Sequence, residues 1–198
     1  MNDTELERYS RHILLNEFDI VSQEKLSSAT ALMIGCGGLA NACAPILASA
    51  GLGHIIVCDG DTIELSNLQR QFAFTEADIG KHKAEVLKTY LQARNSQIQI
   101  SSIHQFVDET LLHDCLPQCD VIIDCSDNSR TRHLINRLAV QHRIPLISAS
   151  VIQFSGQLAV FDSRNQQSPC YACLFPQEIQ QENTCTKNGV YAPLVHII

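Results

Sequence analysis

The chain has 198 residues, 45% apolar and 18% charged, and its 14 Lys and Arg against 21 Asp and Glu leave a formal charge of −7. That balance suits one soluble globular unit and, with the basic residues scattered, offers no cationic stripe for a nucleic acid. No apolar run approaches the roughly 20 residues that span a bilayer, and the start MNDTELERYSR has no signal-peptide core, so a cytoplasmic protein with neither membrane nor nucleic acid partners is expected.

In chain order, Leu6, Tyr9, Ile13 and Leu14 recur at helical spacing within residues 5–15 and predict a short amphipathic leader helix. The apolar run 29–35 then ends in glycine as a strand, and residues 39–51 have helix-forming composition up to Gly51. Residues 54–61 read as a second strand ending in acids, 83–95 as a helix, 97–103 as a strand and 108–116 as a short helix. A strand over 121–128 runs into acids, a helix follows over 129–143, and IPLISAS makes a fifth strand. Strands alternating with helices predict an α/β fold: a doubly wound, mainly parallel Rossmann-like sheet. Beyond Ser150 the rhythm changes, and residues 151–162 alternate around Gly156 like a hairpin, predicting an antiparallel extension. The last residues, GVYAPLVHII, are apolar, and residues 1–198 are expected to form a single domain that lacks its C-terminal segment.

Nine cysteines in a chain with this pattern do not suggest a secreted scaffold. Cys36, Cys43, Cys58 and Cys125 lie in or beside apolar runs, where a reduced thiol behaves as a small hydrophobe. Cys170-Tyr171-Ala172-Cys173 is the only C-x-x-C. Its spacing lets two thiolates reach one Zn²⁺ at about 2.3 Å, but a closed site needs four ligands, and Cys185 and His196 are the remaining candidates; a redox pair and chance spacing are the alternatives. Cys185, beside Lys187 in a polar segment, is either a reactive thiol or a plain surface one.

The chemistry concentrates in four stretches. Gly35, Gly37 and Gly38 lie between a strand and a helix, where backbone N–H groups and the helix dipole face an anion, and with Ala40 they satisfy a dinucleotide fingerprint. Asp59, 21 residues after Gly38 and at the end of the next strand, is placed to accept from ribose hydroxyls. Asp61 is either a turn residue or a contact. Ser66-Asn67-Leu68-Gln69-Arg70 and, further on, Lys83 add cations suited to charge developing on phosphates, although each cation taken alone is an ordinary surface residue. Asp127 and Asn128 follow the fourth strand, where an open sheet binds its ligands; Asp127 either meets Mg²⁺ or caps the next helix.

The ordered set RYSRHILL, GCGGLA, CDGDTIELSNLQRQ, DIGKHK, DCSDN and PCYACLFP, closed by a cysteine segment, resembles the MoeB/ThiF/HesA family, the bacterial relatives of ubiquitin-activating enzymes. The resemblance implies an adenylyltransferase that uses ATP and Mg²⁺ to activate the C-terminal Gly-Gly carboxylate of a small ubiquitin-like sulfur-carrier protein, with release of pyrophosphate. The molybdopterin-synthase small subunit is favoured over the thiamine sulfur carrier. By the same resemblance Gly38 and Asp59 contact the nucleotide, Asn67 and Arg70 its phosphates, and Asp127 the magnesium. Lys83 matches the family's lysine, and Arg11 the arginine that reaches the triphosphate from the other subunit of a homodimer. Cys170 and Cys173 match half of a zinc site completed by a later C-x-x-C, and Cys185 a cysteine that takes part in sulfur transfer in some members. Ala40, Ala192 and His196 stand where the family pattern has glycines. An NAD-dependent oxidoreductase, resting on the glycine turn and Asp59 alone, and a catalytically degenerate nucleotide-binding subunit are the two other readings.

Overall fold

The runs TALMI and HIIVC are apolar at nearly every position, a composition that suits strands covered on both faces. In the computed structural model, which describes residues 1–165, 167–176 and 189–198, they form β1 (Thr30–Ile34) and β2 (His54–Cys58). With β3 (Gln99–Ile103), β4 (Val121–Asp124), β5 (Leu146–Ile152) and β6 (Ser155–Phe161) they build a six-stranded sheet ordered β3-β2-β1-β4-β5-β6. All neighbours are parallel except β5 and β6, so the expected doubly wound sheet and its antiparallel extension are both present. Helices α1 (Asp3–Arg8), α2 (Ser10–Ile13) and α3 (Ile20–Ser28) precede the sheet, and α4 (Gly38–Ala50), α5 (Lys83–Arg94), α6 (Glu109–Cys115) and α7 (Ser129–His142) connect its parallel strands.

Successive strand residues point to opposite faces, and here both faces are core. Ala31, Met33, Ile55 and Val57 pack with Ala40, Ala44 and Leu87 from α4 and α5. Leu32, Ile34, Ile56 and Ile122 pack on the other face with Leu112, Ile135 and Leu138 from α6 and α7. Cys36, Cys58 and Cys125 are buried in these clusters as expected; burial pushes the Cys58 thiol up to about 12 and the Cys36 thiol well above its ordinary value, which leaves both unreactive. No described helix is long and apolar enough to cross a membrane.

Three details differ from the sequence expectation. The leader is two short helices, because Tyr9 leaves helical geometry at φ −98°, ψ 10° and is buried, with its hydroxyl accepting from Asn95 Nδ2 at 2.9 Å. α3 was not expected at all. It is capped by Asp19, which accepts from the Ser22 N–H at 2.9 Å, but its one buried residue is Gln23, so it lacks the apolar stripe that periodicity detects. The hairpin turns at Gln153 and Phe154 rather than around Gly156: Ile152 pairs with Ser155, and Gly156 lies inside β6 opposite Val151. Gln153 takes φ 51°, held there because its N–H donates to Gly189 O at 3.0 Å and its carbonyl accepts from the Tyr191 N–H at 2.9 Å. Gly156 answers a packing need instead, since a Cβ there would lie 2.6 Å from Ile198 Cγ1.

Ile34 pairs with both Cys58 and Asp124, so the carboxyl ends of β2, β1 and β4 are level. The connections after β1 and β4 leave toward opposite faces of the sheet. That divergence opens a crevice at this edge.

Candidate active site

A cleft of about 580 Å³ lies along the level edge. Its floor is the turn from β1 into α4. Gly35 has φ 90°, and a Cβ there would stand 2.7 Å from Cys125 O, so only glycine lets the β1 and β4 loops approach so closely. Gly37 begins α4 without any side-chain cap, which leaves the first helical N–H groups turned to the cleft. Val195, from the last helical turn Ala192–Val195, is buried at the same place and lines the cleft.

Asp59 follows β2. Its two carboxylate oxygens accept from the N–H groups of Cys36 and Asp61, each at 2.7 Å, which ties the glycine turn to the end of the next strand. Burial raises the Asp59 pKa, opposed by those two N–H groups and by the Lys83 ammonium. Each oxygen keeps a second lone pair for a hydroxyl donor. Lys83, at the start of α5 and only 7% exposed, places Nζ 2.9 Å from Asp61 Oδ2. Asp61 is thereby the lysine's partner.

The 3-10 turn Leu65–Asn67 is closed by its own asparagine: the Glu64 N–H donates to Asn67 Oδ1 at 3.1 Å. Arg70 Nη1 donates to Ser66 O at 3.0 Å, which holds the guanidinium over this turn. His196 Nε2 lies 3.2 Å from Arg70 O, and its ring stacks on Phe72 with centroids 4.2 Å apart. His196 is therefore engaged at the Arg70 end of the cleft.

Beyond β4, Asn128 caps α7 by accepting from the Thr131 N–H at 2.9 Å. The cap is thus Asn128, and Asp127 is exposed in the cleft with no side-chain hydrogen bond among the described residues. Asp124, three residues earlier, is fully buried. It accepts from the Ser126 N–H at 3.0 Å, Ser126 Oγ at 2.6 Å and Ser148 Oγ at 2.9 Å, while Arg132 Nη2 donates to Ser126 O at 2.6 Å. Burial raises the Asp124 pKa; the Arg132 guanidinium, with Nε 4.0 Å from Oδ2, is the largest opposing influence. Ser126 is clamped from both sides, and this sets the backbone that carries Asp127.

The structure brings together Gly35, Gly37, Gly38, Asp59, Ser66, Asn67, Gln69, Arg70, Lys83, Asp127 and Asn128. Leu68 packs on the core instead, and Arg11, exposed on α2, is outside the cleft of its own chain. Gln71, Phe106 and Arg132 also line the cleft without a sequence signal of their own, as does Asp61, which the sequence leaves as either a turn residue or a contact. Two of them carry the buried side-chain atoms left without a hydrogen-bond partner among the described residues, Gln71 Oε1 and Arg132 Nε. The glycines, acids, cations and polar residues that had a sequence signal all lie inside the recognised motifs.

Cys170 and Cys173 lie elsewhere, beside a second cavity of about 370 Å³, with their sulfurs 3.6 Å apart. No group of three or more His, Cys, Asp or Glu able to hold a metal occurs among the described residues, so these two thiols do not complete a zinc site there. Cys185 lies outside the described residues.

The chain matches the ThiF family over residues 9–198. It is 40% identical over 198 residues to the sulfur carrier protein ThiS adenylyltransferase of Escherichia coli, covering 100% of this chain and 78% of that protein. It is 36% identical over 198 residues to the molybdopterin-synthase adenylyltransferase of the same organism, covering 100% and 79%. The crystal structure of E. coli MccB with ATP superposes with a TM-score of 0.79 at 32% identity, covering 99% of this chain and 60% of MccB. The glycine turn with its uncapped helix, the acid after β2 and the Asp127 loop thus occur in a chain that matches, almost from end to end, one group of adenylyltransferases: it belongs to the ThiF family.

Proposed function

We propose that residues 1–198 form an adenylation domain that uses ATP to activate the C-terminal glycine carboxylate of a small ubiquitin-like sulfur-carrier protein in the cytoplasm. The observation that carries this reading is one cleft holding an uncapped helix N-terminus, Asp59, Arg70, Lys83 and an aspartate with no side-chain hydrogen bond among the described residues. An oxidoreductase site built on the glycine turn and Asp59 has no use for the second half of that set.

In this reading a carboxylate oxygen of the carrier attacks the α-phosphorus. The new O–P bond forms as the bond from that phosphorus to the bridging oxygen breaks, and pyrophosphate leaves with the electron pair. The carboxylate is already ionised at neutral pH, so no general base is needed; catalysis comes from positioning and charge stabilisation. Asp59 orients the ribose, the first N–H groups of α4 meet phosphate oxygens, and Arg70 and Lys83 stabilise the departing pyrophosphate. Asp127 offers hard carboxylate oxygens with no competing bond among the described residues, the donor type that Mg²⁺ takes, and the bound cation would neutralise phosphate charge. Arg11 acts, in this reading, on the cleft of a second copy, which makes the functional unit a homodimer.

Two named relatives carry the two carrier types, ThiS and the molybdopterin-synthase subunit, and the sequence expectation favours the second. The test is exchange of labelled pyrophosphate into ATP with each carrier in turn. Exchange that depends on a carrier with an intact Gly-Gly end supports the reading. ATP binding without exchange for either carrier overturns it in favour of a degenerate subunit, and NAD binding without ATP binding overturns it in favour of an oxidoreductase.

A further inference from the structure

Residues 189–198 run from the β5–β6 hairpin to the loop that carries Arg70, and they are held at both ends. At the hairpin, the Gln153 N–H donates to Gly189 O and the Tyr191 N–H to Gln153 O. At the other end the turn Ala192–Val195 closes over the start of α4. A Cβ on Gly38 would stand 2.6 Å from Val195 Cγ1 and 3.4 Å from both Arg70 Cγ and Arg70 O. Gly38 is thus the point where the helix N-terminus, Val195 and the Arg70 backbone meet.

His196 joins two of these parts. Its Nε2 lies 3.2 Å from Arg70 O, and because a carbonyl has no proton to give, the contact requires the tautomer that carries hydrogen on Nε2. Phe72 sets the plane of the imidazole: the two rings stack with centroids 4.2 Å apart and planes 8° from parallel. Phe72 is an exposed residue that belongs to neither core cluster, and neither ring lines the cleft. Arg70 does line it. Its loop is tied to α4 where the Ala73 N–H donates to Asn41 Oδ1 at 2.8 Å, and its guanidinium to Ser66 O within the same turn. The contact from His196 fixes the peptide between these two ties.

We propose that His196 is a positioning residue for carboxylate activation: by holding the Arg70 carbonyl it sets the orientation in which the guanidinium meets the departing pyrophosphate. This rests on the adenylation reading above and adds a residue that acts through Arg70 without touching the nucleotide. A long side chain magnifies any rotation of the peptide that bears it, so a freed carbonyl displaces the charge from its place in the transition state. Asp59 and the first N–H groups of α4 still hold ATP in the ground state. The cost therefore falls on turnover rather than on binding.

The test follows carrier-dependent pyrophosphate exchange by the whole chain over a range of ATP concentrations, with deuterium uptake of residues 65–73 measured in parallel. His196→Ala is expected to lower kcat by about 10- to 100-fold with KM for ATP within about twofold, and to speed deuterium uptake over residues 65–73. His196→Gln, which keeps an N–H donor on a side chain of similar reach, should recover most of kcat, whereas His196→Phe, which keeps only the ring, should not. In an Arg70→Ala background, His196→Ala should add little further loss, because effects exerted through one group do not add. Wild-type kcat in His196→Ala, recovery by His196→Phe equal to that by His196→Gln, or a full additional loss in the Arg70→Ala background would each overturn the assignment. A wild-type chain without pyrophosphate exchange for either carrier refutes the adenylation reading instead. The hold on the Arg70 loop is then decided by deuterium uptake alone: faster uptake in His196→Ala keeps it, and unchanged uptake removes it.

Discussion

The cleft at the level edge of the sheet and the thiol corner hold groups of equal chemical interest, but the fold treats them differently. In the cleft, Asp59 is fixed by two backbone N–H groups, Lys83 by Asp61, Arg70 by a carbonyl, and the Asp127 loop by a buried carboxylate and a guanidinium. At the thiol corner, Cys170 Sγ lies 3.6 Å from Asn136 Nδ2 and 3.6 Å from Cys173 Sγ; burial raises its pKa, but Asn136 and the N–H groups of Cys173 and Ala172 outweigh this and hold it below the ordinary thiol value. A site is built when its reactive groups are held by others that do not react. By that measure the cleft is the more fully built of the two among the described residues, since four of its charged groups are held against one supported thiol.

The comparison breaks most sharply at Asp127. Asp127→Ala should lower carrier-dependent pyrophosphate exchange by roughly 10²- to 10³-fold, the scale for removing one preorganised charge-stabilising group, with the thermal midpoint unchanged. Near-normal exchange would remove Asp127 from the site. Arg132→Ala strikes the support instead and should cost about 3 kcal/mol in denaturant unfolding, because it leaves Asp124 buried without its cation. A loss within the range of ordinary surface substitutions would mean that Ser126 and Ser148 suffice to hold that carboxylate.

A smaller effect is expected from pH. Burial raises the Asp59 pKa above the ordinary carboxylate value, so protonation of the folded chain begins at higher pH than for an exposed aspartate. The carboxylate cost of burial is relieved as pH falls through that raised value, so this group favours the fold on acidification, whereas the proposed ribose contact, which needs the ionised form, is expected to weaken over the same window. Titrations of ATP affinity against pH should show this acidic limb in the native chain and lose it in Asp59→Asn. The smallest effect belongs to the thiol corner: replacing Cys170 and Cys173 with serine should change ATP affinity less than twofold and stability by about 0.5 kcal/mol or less. A thermal midpoint lowered by many degrees, with zinc released, would show a completed metal site and erase the contrast.

The strands and main helices were legible because burial on both faces writes continuous apolar runs and helix-period stripes into the sequence, as in β1, β2 and α7. α3 was illegible for the converse reason: its buried anchor is Gln23, whose Nε2 donates to Ala50 O at 2.9 Å, and a polar anchor leaves no hydrophobic signal. The hairpin turn was misplaced because glycine usually marks turns, whereas here Gln153 takes the left-handed position and Gly156 makes room for a neighbour. Within the site, Asp59, Lys83 and Arg70 sit in ordered motifs that sequence displays. Arg132 and Phe106 owe their places to loops brought together by the sheet order, which no local pattern records.

The ion pair between Lys83 and Asp61 carries one more consequence. Lys83 is almost wholly enclosed, while the Asp61 side chain is 53% exposed. In the proposed reaction, a phosphate oxygen that comes to the lysine replaces one anion with another, and the displaced carboxylate moves into water it already half occupies. The lysine never stands alone in the protein interior at any stage of that exchange. The step is a substitution of partners with nearly constant charge pairing, so the salt sensitivity of nucleotide binding should reflect Arg70 and the helix end far more than Lys83.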